Sequence, residues 1–387
     1  MTENSTITEY SGTTENSTTT TAGGLSVSAE GEGEAPARQV DEERLGALLG
    51  QVVGDLGGAV IVPLVLLGDR LGLFTTLSTA GAVTARELAE LTGLSERYLQ
   101  EWLLAMAASS YVDYSGGGRY ELSPEQAALL VDADSPAYVV GGFQNMTAAV
   151  RSLDRLTEAF RTGAGMGWHE HHPDLFEGTE RFFRPGYLAN LTSSWIPALT
   201  GLEERLEHGA RVADVGCGLG ASTRIMAERY PATTLMGIDY HEASILLARE
   251  KAAAAGLSDR VTFTVAGAQE LTGTFDFVTL FDCLHDMPDP LGALRAVRAS
   301  LRDDGWVMLV EPVSGDAVED TLNPVGRLFA GASVFICLPS GMSAEPAVGL
   351  GNQAGPARTL ALAQQAGFSR AREAVRGPFN VIYELRP

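Results

Sequence analysis

The second half of the chain alternates short apolar segments with helical stretches, and this pattern limits its fold more than any other feature. After Gly209 the apolar segments are RVADV, TLMGID, VTFTV, FDFVTLF and GWVMLVE. Strands that alternate with helices are joined by crossover connections, so they run parallel. Two closing strands are predicted over 367–374 and 379–385. The pattern predicts an α/β domain with a mostly parallel, doubly wound, seven-stranded sheet.

A glycine-rich turn follows the first of these strands. Gly216, Gly218 and Gly220 allow the backbone to turn tightly beneath a ligand, and a helix is predicted to begin at Ser222. With Ala221 the segment also satisfies the G-x-G-x-x-A pattern of dinucleotide sites. The glycines alone therefore indicate a nucleotide-like ligand without identifying it.

Two carboxylates near this turn narrow the choice of ligand. Asp214 stands two residues before the first glycine, where it would attract a cation such as an ammonium or sulfonium and repel a pyrophosphate. Asp239 ends the second strand, 25 residues later, where it can accept hydrogen bonds from ribose hydroxyls. Tyr240 follows and is positioned to flank an adenine. A cationic nucleoside ligand fits this combination best.

These residues resemble the class I S-adenosylmethionine-dependent methyltransferases, a Rossmann-like family, and the resemblance covers residues 209–387. It implies that Asp214 lies near the methionine end of S-adenosylmethionine, that Gly216 and Gly218 lie beneath it, and that Asp239 binds the ribose. Many members hold the adenine amine with an acid after the third strand. Gly267 and Ala268 occupy that place here, so backbone groups or Gln269 would make the contact.

The segment after the fourth strand carries the next candidates, and in this family it passes beside the methyl group. Asp282 is expected on the cofactor side. His285 is a candidate general base for an oxygen or nitrogen nucleophile. The alternative is a histidine that fixes the loop through Asp286.

The first half of the chain is organised differently. Residues 1–40 are rich in Ser, Thr, Gly and Glu, which predicts a disordered tail. Residues 41–132 carry helix starts at Thr84, Ser95 and Ser123 and a hairpin around 116–118, a winged-helix arrangement. Residues 133–208 are predicted to form a helical linker that caps the substrate. The apolar segment through Leu77 predicts buried helices and a homodimer or larger homo-oligomer.

Composition restricts the partners. With 27 Lys and Arg against 49 Asp and Glu, the formal charge is −22, which disfavours nucleic acid and anionic membranes. The apolar stretch between Asp55 and Asp69, interrupted by Pro63, predicts no membrane span. Three widely spaced cysteines indicate a reducing compartment. We expect a cytoplasmic enzyme with a small-molecule acceptor.

Three of the six histidines lie in the segment WHEHHPD, residues 168–174. Together with the winged helix, this segment resembles a large bacterial methyltransferase family over residues 41–387, and particularly its prenyl-diphosphate C-methyltransferases. That resemblance implies alkene methylation through a carbocation, with Glu170 removing the proton. It also implies Mg²⁺ on the diphosphate, with His172 as a candidate ligand. The implied substrate-binding residues are Trp168, His169, His172, Arg184 and Tyr187.

Two alternatives remain open from the sequence. The first is an O- or N-methyltransferase of an aromatic metabolite, with His285 as base. The second is a DNA-binding regulator that senses S-adenosylmethionine. A helix that reads a DNA groove should be basic, whereas the predicted helix over 95–110 carries Glu96, Arg97 and Glu101.

Overall fold

The computed structural model describes residues 39–387. The predicted tail over 1–40 lies outside the described residues except for its last two. Residues 53–387 form one compact unit, and the described residues 39–52 are not part of it.

The described residues contain sixteen α-helices. They are α1 Glu42–Arg70, α2 Leu73–Ala80, α3 Ala85–Thr92, α4 Glu96–Ala108, α5 Pro124–Leu130, α6 Val140–Ala149, α7 Leu153–Thr162, α8 Asp174–Asn190, α9 Leu202–Glu207, α10 Ala221–Arg229, α11 Glu242–Ala254, α12 Pro290–Ala299, α13 Val318–Thr321, α14 Pro324–Ala332, α15 Leu338–Gly341 and α16 Gly355–Gln365.

Ten strands form two sheets within the described residues. The strands are β1 Val83–Thr84, β2 Asp113–Gly116, β3 Arg119–Glu121, β4 Arg211–Val215, β5 Thr234–Asp239, β6 Val261–Val265, β7 Phe275–Phe281, β8 Leu301–Pro312, β9 Arg370–Arg376 and β10 Asn380–Arg386.

The larger sheet confirms the predicted fold class. Its strand order is β6-β5-β4-β7-β8-β10-β9. The first five strands are parallel, and β10 pairs antiparallel with both β8 and β9. Separate clusters of buried side chains cover its two faces, as the doubly wound arrangement requires. The carboxyl ends of β4, β5 and β7 therefore meet at one edge, where ligands bind in such sheets.

The winged-helix part is built by local capping signals. Thr84 accepts a hydrogen bond from the backbone of Glu87, whose side chain bonds back to Thr84, and Ser123 and Gln126 form the same reciprocal pair. Ser95 precedes α4 but makes no side-chain cap, so that part of the prediction is wrong. The small sheet has the order β1-β3-β2.

Helix α1 differs from the predicted buried helices. It runs unbroken for 29 residues through Pro63, and only Val65, Leu66 and Gly68 are buried. Leu49 and Leu56 are more than half exposed. By length and composition alone, α1 and the helical stretch Pro324–Gly341 could each cross a membrane, which corrects the inference from the interrupted apolar stretch. A core helix of a soluble protein passes the same test.

Helix α8 positions the cap over the sheet edge. It packs closely against α6 because two glycines face the contact: a Cβ on Gly141 would lie 2.3 Å from the backbone nitrogen of Phe182, and one on Gly178 would lie 2.3 Å from Oδ1 of Asn145. Side chains spaced three or four residues apart on α8 can therefore point together towards the carboxyl ends of the strands.

Candidate active site

The glycine-rich turn forms the floor of a cleft at the end of β4. Gly216, Gly218 and Gly220 all have positive φ, between 52° and 75°. A Cβ on Gly218 would meet no atom within 4 Å, so the backbone there is open to a ligand. A Cβ on Gly216 would lie 2.7 Å from the sulfur of Cys283, so that glycine is needed for packing.

Asp239 supports the turn from the end of β5. One carboxylate oxygen accepts a 3.0 Å hydrogen bond from the N–H of Gly218, and the other accepts one of 2.8 Å from the N–H of His241. Burial raises the pKa of Asp239. Its side chain lines the cleft, as predicted for a ribose-binding carboxylate.

Asp214 lies behind the turn. Its carboxylate accepts hydrogen bonds from the hydroxyls of Ser222 (2.7 Å), Thr223 (2.6 Å) and Thr279 (2.9 Å), which join β4 to α10 and β7. Burial raises the pKa of Asp214. It is not among the residues that line the cleft, so in this structure its contacts are with the protein.

The cleft has a volume of about 130 Å³ and is closed on one side by α8. The residues that line it are Trp168, Phe176, Thr179, Glu180, Phe183, Tyr187, Gly216, Cys217, Gly218, Leu219, Ala221, Ser222, Asp239, Ser244, Phe281, Asp282, Cys283 and Asp286. Of the predicted cofactor residues, Asp214, Tyr240, Gly267 and Ala268 lie outside this lining. Gly267 instead donates its N–H to Glu270 across a turn.

Glu180 is a buried acid in this cleft that the sequence did not single out. It pairs with Arg224 of α10 at 2.8 Å and with Lys251 of α11. The three charges link the cap helix to the helices that follow β4 and β5. Glu180 follows Phe176 by four residues and precedes Phe183 by three on α8, which is the helical spacing of the cleft residues and a signal that could have identified it.

A second cavity of about 350 Å³ adjoins the cleft and is mainly apolar. Its lining includes Phe143, Met146, Phe182, Leu328, Phe329, Ile336 and Phe379, together with the polar side chains of Asn145, His285, Cys337 and Asn352. Five residues line both the cavity and the cleft: Trp168, Thr179, Phe183, Asp282 and Asp286. A group passing from one space to the other must cross this shared wall.

Asp282 occupies the centre of the shared wall in a strained backbone conformation, with φ of 48°. Oδ2 accepts a 2.9 Å hydrogen bond from the hydroxyl of Tyr187, and Oδ1 accepts one of 2.7 Å from the amide of Asn380. Burial and the carboxylate of Glu311 raise the pKa of Asp282 to about 7. A strained, buried acid with a perturbed pKa is typical of functional sites.

His285 is held between carboxylates. Its Nδ1 contacts Glu311 at the end of β8, and its Nε2 lies 3.3 Å from Oδ1 of Asp286. Although burial lowers the pKa of His285, the carboxylates of Glu311 and Asp286 raise it well above the ordinary value. Glu311 was missed by the sequence reasoning, although β7 and β8 are adjacent parallel strands whose ends meet.

The histidine-rich segment begins with a short 3₁₀ turn, Trp168–Glu170. The N–H of His169 donates a 3.3 Å hydrogen bond to the hydroxyl of Tyr240, which connects the turn to the end of β5. Glu170 accepts 2.7 Å hydrogen bonds from Gly167 and Arg155, and the bond from Arg155 is the main reason its pKa is lowered. Glu170 is partly exposed and does not line either cavity, whereas Trp168 lines both.

Two further predicted residues have partners of their own. Arg184 pairs with Asp134 at 2.6 Å and lines neither cavity. The Nε2 of His172 contacts Arg151, and its Nδ1 accepts a 3.2 Å hydrogen bond from the N–H of Asp174. The structure thus places Trp168, Tyr187, Asp282 and the glycines of the turn together around the cleft. Four other predicted residues line neither the cleft nor the cavity: Glu170, His169, His172 and Arg184.

Comparison with known proteins agrees with this geometry. Residues 187–341 match a methyltransferase domain family, and residues 59–132 match the Rv2258c-like winged HTH domain. The ubiquinone biosynthesis O-methyltransferase of Bordetella avium (strain 197N) is 33% identical over 218 residues, which is 53% of this chain and 81% of the relative. The chain belongs to the S-adenosylmethionine-dependent methyltransferases. The corresponding Paracidovorax citrulli (strain AAC00-1) enzyme is 36% identical over 132 residues, 33% of this chain and 52% of its own length.

Solved structures show the same fold. The mitomycin 7-O-methyltransferase MmcR has a TM-score of 0.65 at 20% identity, covering 90% of this chain and 100% of its own. Human N-acetylserotonin methyltransferase in complex with S-adenosylmethionine has a TM-score of 0.66 at 17% identity, covering 91% and 99%. In the present chain, the open backbone at Gly218 and the carboxylate of Asp239 fit S-adenosylmethionine.

The predicted Mg²⁺ ligand does not fit a metal site. Both ring nitrogens of His172 already have partners, and one of them contacts the guanidinium of Arg151. A neighbouring positive charge repels a cation, and Mg²⁺ prefers oxygen ligands in octahedral geometry. We therefore assign no step of the reaction to a metal held by His172.

Proposed function

We propose that this methyltransferase methylates a carbon of a prenyl diphosphate, with geranyl diphosphate as the preferred acceptor. The wall shared by the cofactor cleft and the apolar cavity carries this proposal. It combines the aromatic rings of Trp168 and Phe183 with the carboxyl groups of Asp282 and Asp286. Aromatic faces and carboxylates both stabilise a cation without forming a covalent bond to it.

Such a wall suits alkene methylation. S-adenosylmethionine supplies an electrophilic methyl group on a sulfonium. As the alkene attacks, a carbon–carbon bond forms, the carbon–sulfur bond breaks, and the positive charge moves to a tertiary carbon of the acceptor. Asp282 and the ring of Trp168 face both spaces, so they can stabilise the charge before and after the transfer. The resemblance to the geranyl diphosphate C6-methyltransferase of benzastatin-type biosynthesis supports the same chemistry.

The last step removes a proton from the carbon next to the cation, and we assign it to Glu170. The hydrogen bond from Arg155 lowers the pKa of Glu170, so its side chain is an ionised carboxylate at neutral pH. A proton beside a carbocation is so acidic that a weakly basic carboxylate suffices. Glu170 stands two residues after Trp168, whose ring lines the acceptor cavity, and its carboxylate must leave Arg155 to take up the proton.

The apolar cavity supports an isoprenoid tail. Rings of Phe143, Phe182, Phe329 and Phe379 surround it, and its volume falls within the range of ordinary ligand pockets. Neither cavity is lined by a Lys or Arg among the residues that the structure describes. An anionic head group would therefore remain outside the cavity, with only the hydrocarbon inside.

A second candidate is an O- or N-methyltransferase of an aromatic metabolite. One observation favours it: His285, paired with Glu311, faces the acceptor cavity, where a hydroxyl or amine could be deprotonated. The named relatives are O-methyltransferases. The carboxylates of Glu311 and Asp286 raise the pKa of His285, which favours the protonated imidazole and opposes this function, because a protonated imidazole has no free electron pair to accept a proton.

The experiment that separates the two candidates uses purified protein, S-adenosylmethionine and geranyl diphosphate, with Mg²⁺ or with EDTA. Products are dephosphorylated and examined by mass spectrometry. We expect a methylated prenyl alcohol that disappears in Glu170→Gln and persists in His285→Gln. S-adenosylmethionine binding by calorimetry verifies that each variant is folded. Methylation of aromatic hydroxyls alone, lost in His285→Gln and kept in Glu170→Gln, would establish the second candidate instead.

We also propose that a second copy of the chain covers α1, as the sequence predicts. The helix presents Leu48, Leu49, Val53 and Leu56 to solvent, a large apolar surface for a helix with charged residues at both ends. Light scattering coupled to gel filtration would give the oligomeric mass. A dimer that Leu49→Glu converts to a monomer is expected, and a monomeric wild type would refute the proposal.

A further inference from the structure

Three arginines surround the histidine-rich segment. Arg70, from the end of α1, pairs with Asp174 at the start of α8 at 2.9 Å, and Arg151 approaches the same carboxylate at 4.0 Å. Arg155, one helical turn further on, pairs with Glu170 at 2.7 Å. Each of the three side chains is about half exposed. The three guanidinium groups are opposed by only two carboxylates, so the cluster keeps one excess positive charge in a chain with a formal charge of −22.

The same segment contains a buried polar side chain without partners. His171 is only 5% exposed, and neither ring nitrogen has a hydrogen-bond partner among the described residues. Burial lowers the pKa of His171 to about 4, with a contribution from Arg155, so the ring is neutral. A buried imidazole without partners is unfavourable, and it would gain from a ligand that brings acceptor oxygens.

Arg151 and Arg155 do not line the acceptor cavity, but Arg151 is near in sequence to residues that do, and the ion-pair partner of Arg155 is near in sequence to another. Asn145 and Met146 line that cavity from α6, and Arg151 follows in the 3₁₀ turn Val150–Ser152 that extends α6. On the other side, Trp168 lines the cavity and Glu170 ends the same short turn. Two separate parts of the chain thus lead from the cavity wall to the arginines.

We propose that Arg151 and Arg155 bind the diphosphate of the acceptor, while its hydrocarbon tail occupies the apolar cavity. This inference rests on the proposed function and names its head-group site. Guanidinium groups bind phosphate oxygens through two parallel hydrogen bonds, and half-exposed side chains can turn towards them. Arg184, which the sequence predicted for this role, is paired with Asp134.

The site also links binding to catalysis. In the free protein Arg155 is bonded to Glu170. A diphosphate that takes over Arg155 leaves the Glu170 carboxylate without this partner, so the carboxylate becomes a stronger base and is free to move towards the cavity. Proton removal then becomes efficient only after the acceptor has bound.

The test measures pyrophosphate binding without turnover. Calorimetry with inorganic pyrophosphate in EDTA compares the wild type with Arg151→Gln/Arg155→Gln. We expect the Kd to rise at least about tenfold, which corresponds to about 1.4 kcal/mol, because the variant loses hydrogen bonds from two charged groups. Arg161→Gln, on the same helix α7 and paired with Glu158, is the matched control and should bind as the wild type does. Equal binding by the double variant, or no binding by the wild type, overturns the inference.

Kinetics separate this inference from the proposed function. With geranyl diphosphate, the double variant should raise KM for the acceptor by a similar factor and leave the Kd for S-adenosylmethionine unchanged. If the wild type methylates geranyl diphosphate and the variant keeps the same KM, only the head-group site is wrong. If the wild type methylates no prenyl diphosphate, the proposed function fails and this inference fails with it.

Discussion

The hydroxyl of Tyr187 donates a 2.9 Å hydrogen bond to Asp282, and this bond joins the cap helix α8 to the end of the central strand β7. It fixes the carboxyl group where the cofactor cleft and the acceptor cavity meet. Under the proposed function, this is the place where a carboxyl group would interact with the sulfonium of S-adenosylmethionine and with positive charge on the acceptor.

The first prediction concerns charge recognition by Asp282. Asp282→Asn keeps a polar side chain but removes the negative charge. We expect S-adenosylmethionine to bind roughly tenfold more weakly, a loss of about 1.4 kcal/mol in Coulomb attraction, while S-adenosylhomocysteine, which is uncharged at sulfur, binds nearly as before. Calorimetry at pH 8 measures the Kd of each ligand for the wild type and the variant, and thus the change in the ratio of the two Kd values. The control is Asp303→Asn, a substitution at an exposed position of β8, which should leave the affinities for both ligands unaltered. If Asp282→Asn weakened the binding of both ligands equally, the effect would not come from the charge.

The second prediction concerns pH. Because burial raises the pKa of Asp282 to about 7, kcat/KM for S-adenosylmethionine should fall as the pH drops below about 7 and the carboxylate gains a proton. The hydrogen bond from Tyr187 favours the ionised form, so Tyr187→Phe should move this decline to higher pH. The pH dependence of kcat reports the pKa of Asp282 in the enzyme–cofactor complex. There the positive charge of the cofactor favours the ionised carboxylate, so the decline of kcat should occur at lower pH. Identical profiles for the wild type and Tyr187→Phe would contradict this assignment.

The third prediction concerns the buried pair of His285 and Glu311. Glu311→Gln removes a carboxylate that raises the pKa of His285 and leaves a buried imidazolium with less compensation. We expect a loss of about 3 kcal/mol in the free energy of unfolding. The stabilisation from a raised histidine pKa is complete below the pKa of the unfolded state, about 6.5, and is lost as the pH rises through the folded value.

Urea denaturation at pH 6 and pH 10 checks this prediction. The midpoint of Glu311→Gln should lie far below that of the wild type at pH 6 and move closer to it at pH 10. A difference that stays constant between the two pH values would mean that the destabilisation comes from packing and does not involve the charge of His285.

The sheet was predictable because its signals are local. Each strand from RVADV to GWVMLVE is bounded by turns, and the capping pair Thr84 and Glu87 begins α3 as expected. Helix α1 was not predicted as one element, because a proline inside a long helix removes only one hydrogen bond and need not end it.

The candidate site was only partly predictable, because its contacts depend on separate elements meeting. The glycine turn and Asp239 follow each other along the chain, and the structure places both in the cleft. The pairing of His285 with Glu311 joins β7 to β8, and that of Glu170 with Arg155 joins the histidine-rich segment to α7. No local sequence pattern specifies these partners. Glu311 nevertheless raises the pKa of His285, and Arg155 lowers the pKa of Glu170.

The last prediction tests how the cap is held over the site, using two glycines in helices. In Gly141→Ala the new methyl group would lie 2.3 Å from the backbone of Phe182, so α6 and α8 must separate. We expect a loss of about 2–3 kcal/mol in stability. Weaker S-adenosylmethionine binding should accompany it, since α8 lines the cleft.

Gly186, in α8, is the matched control. A Cβ there meets nothing within 4 Å, so Gly186→Ala should stabilise the protein by about 0.5–1 kcal/mol through the higher helix propensity of alanine. Urea midpoints and calorimetry on both variants make the comparison. If Gly141→Ala were as stable as the wild type, the close approach of α6 and α8 would not be what positions Thr179, Phe183 and Tyr187 at the site.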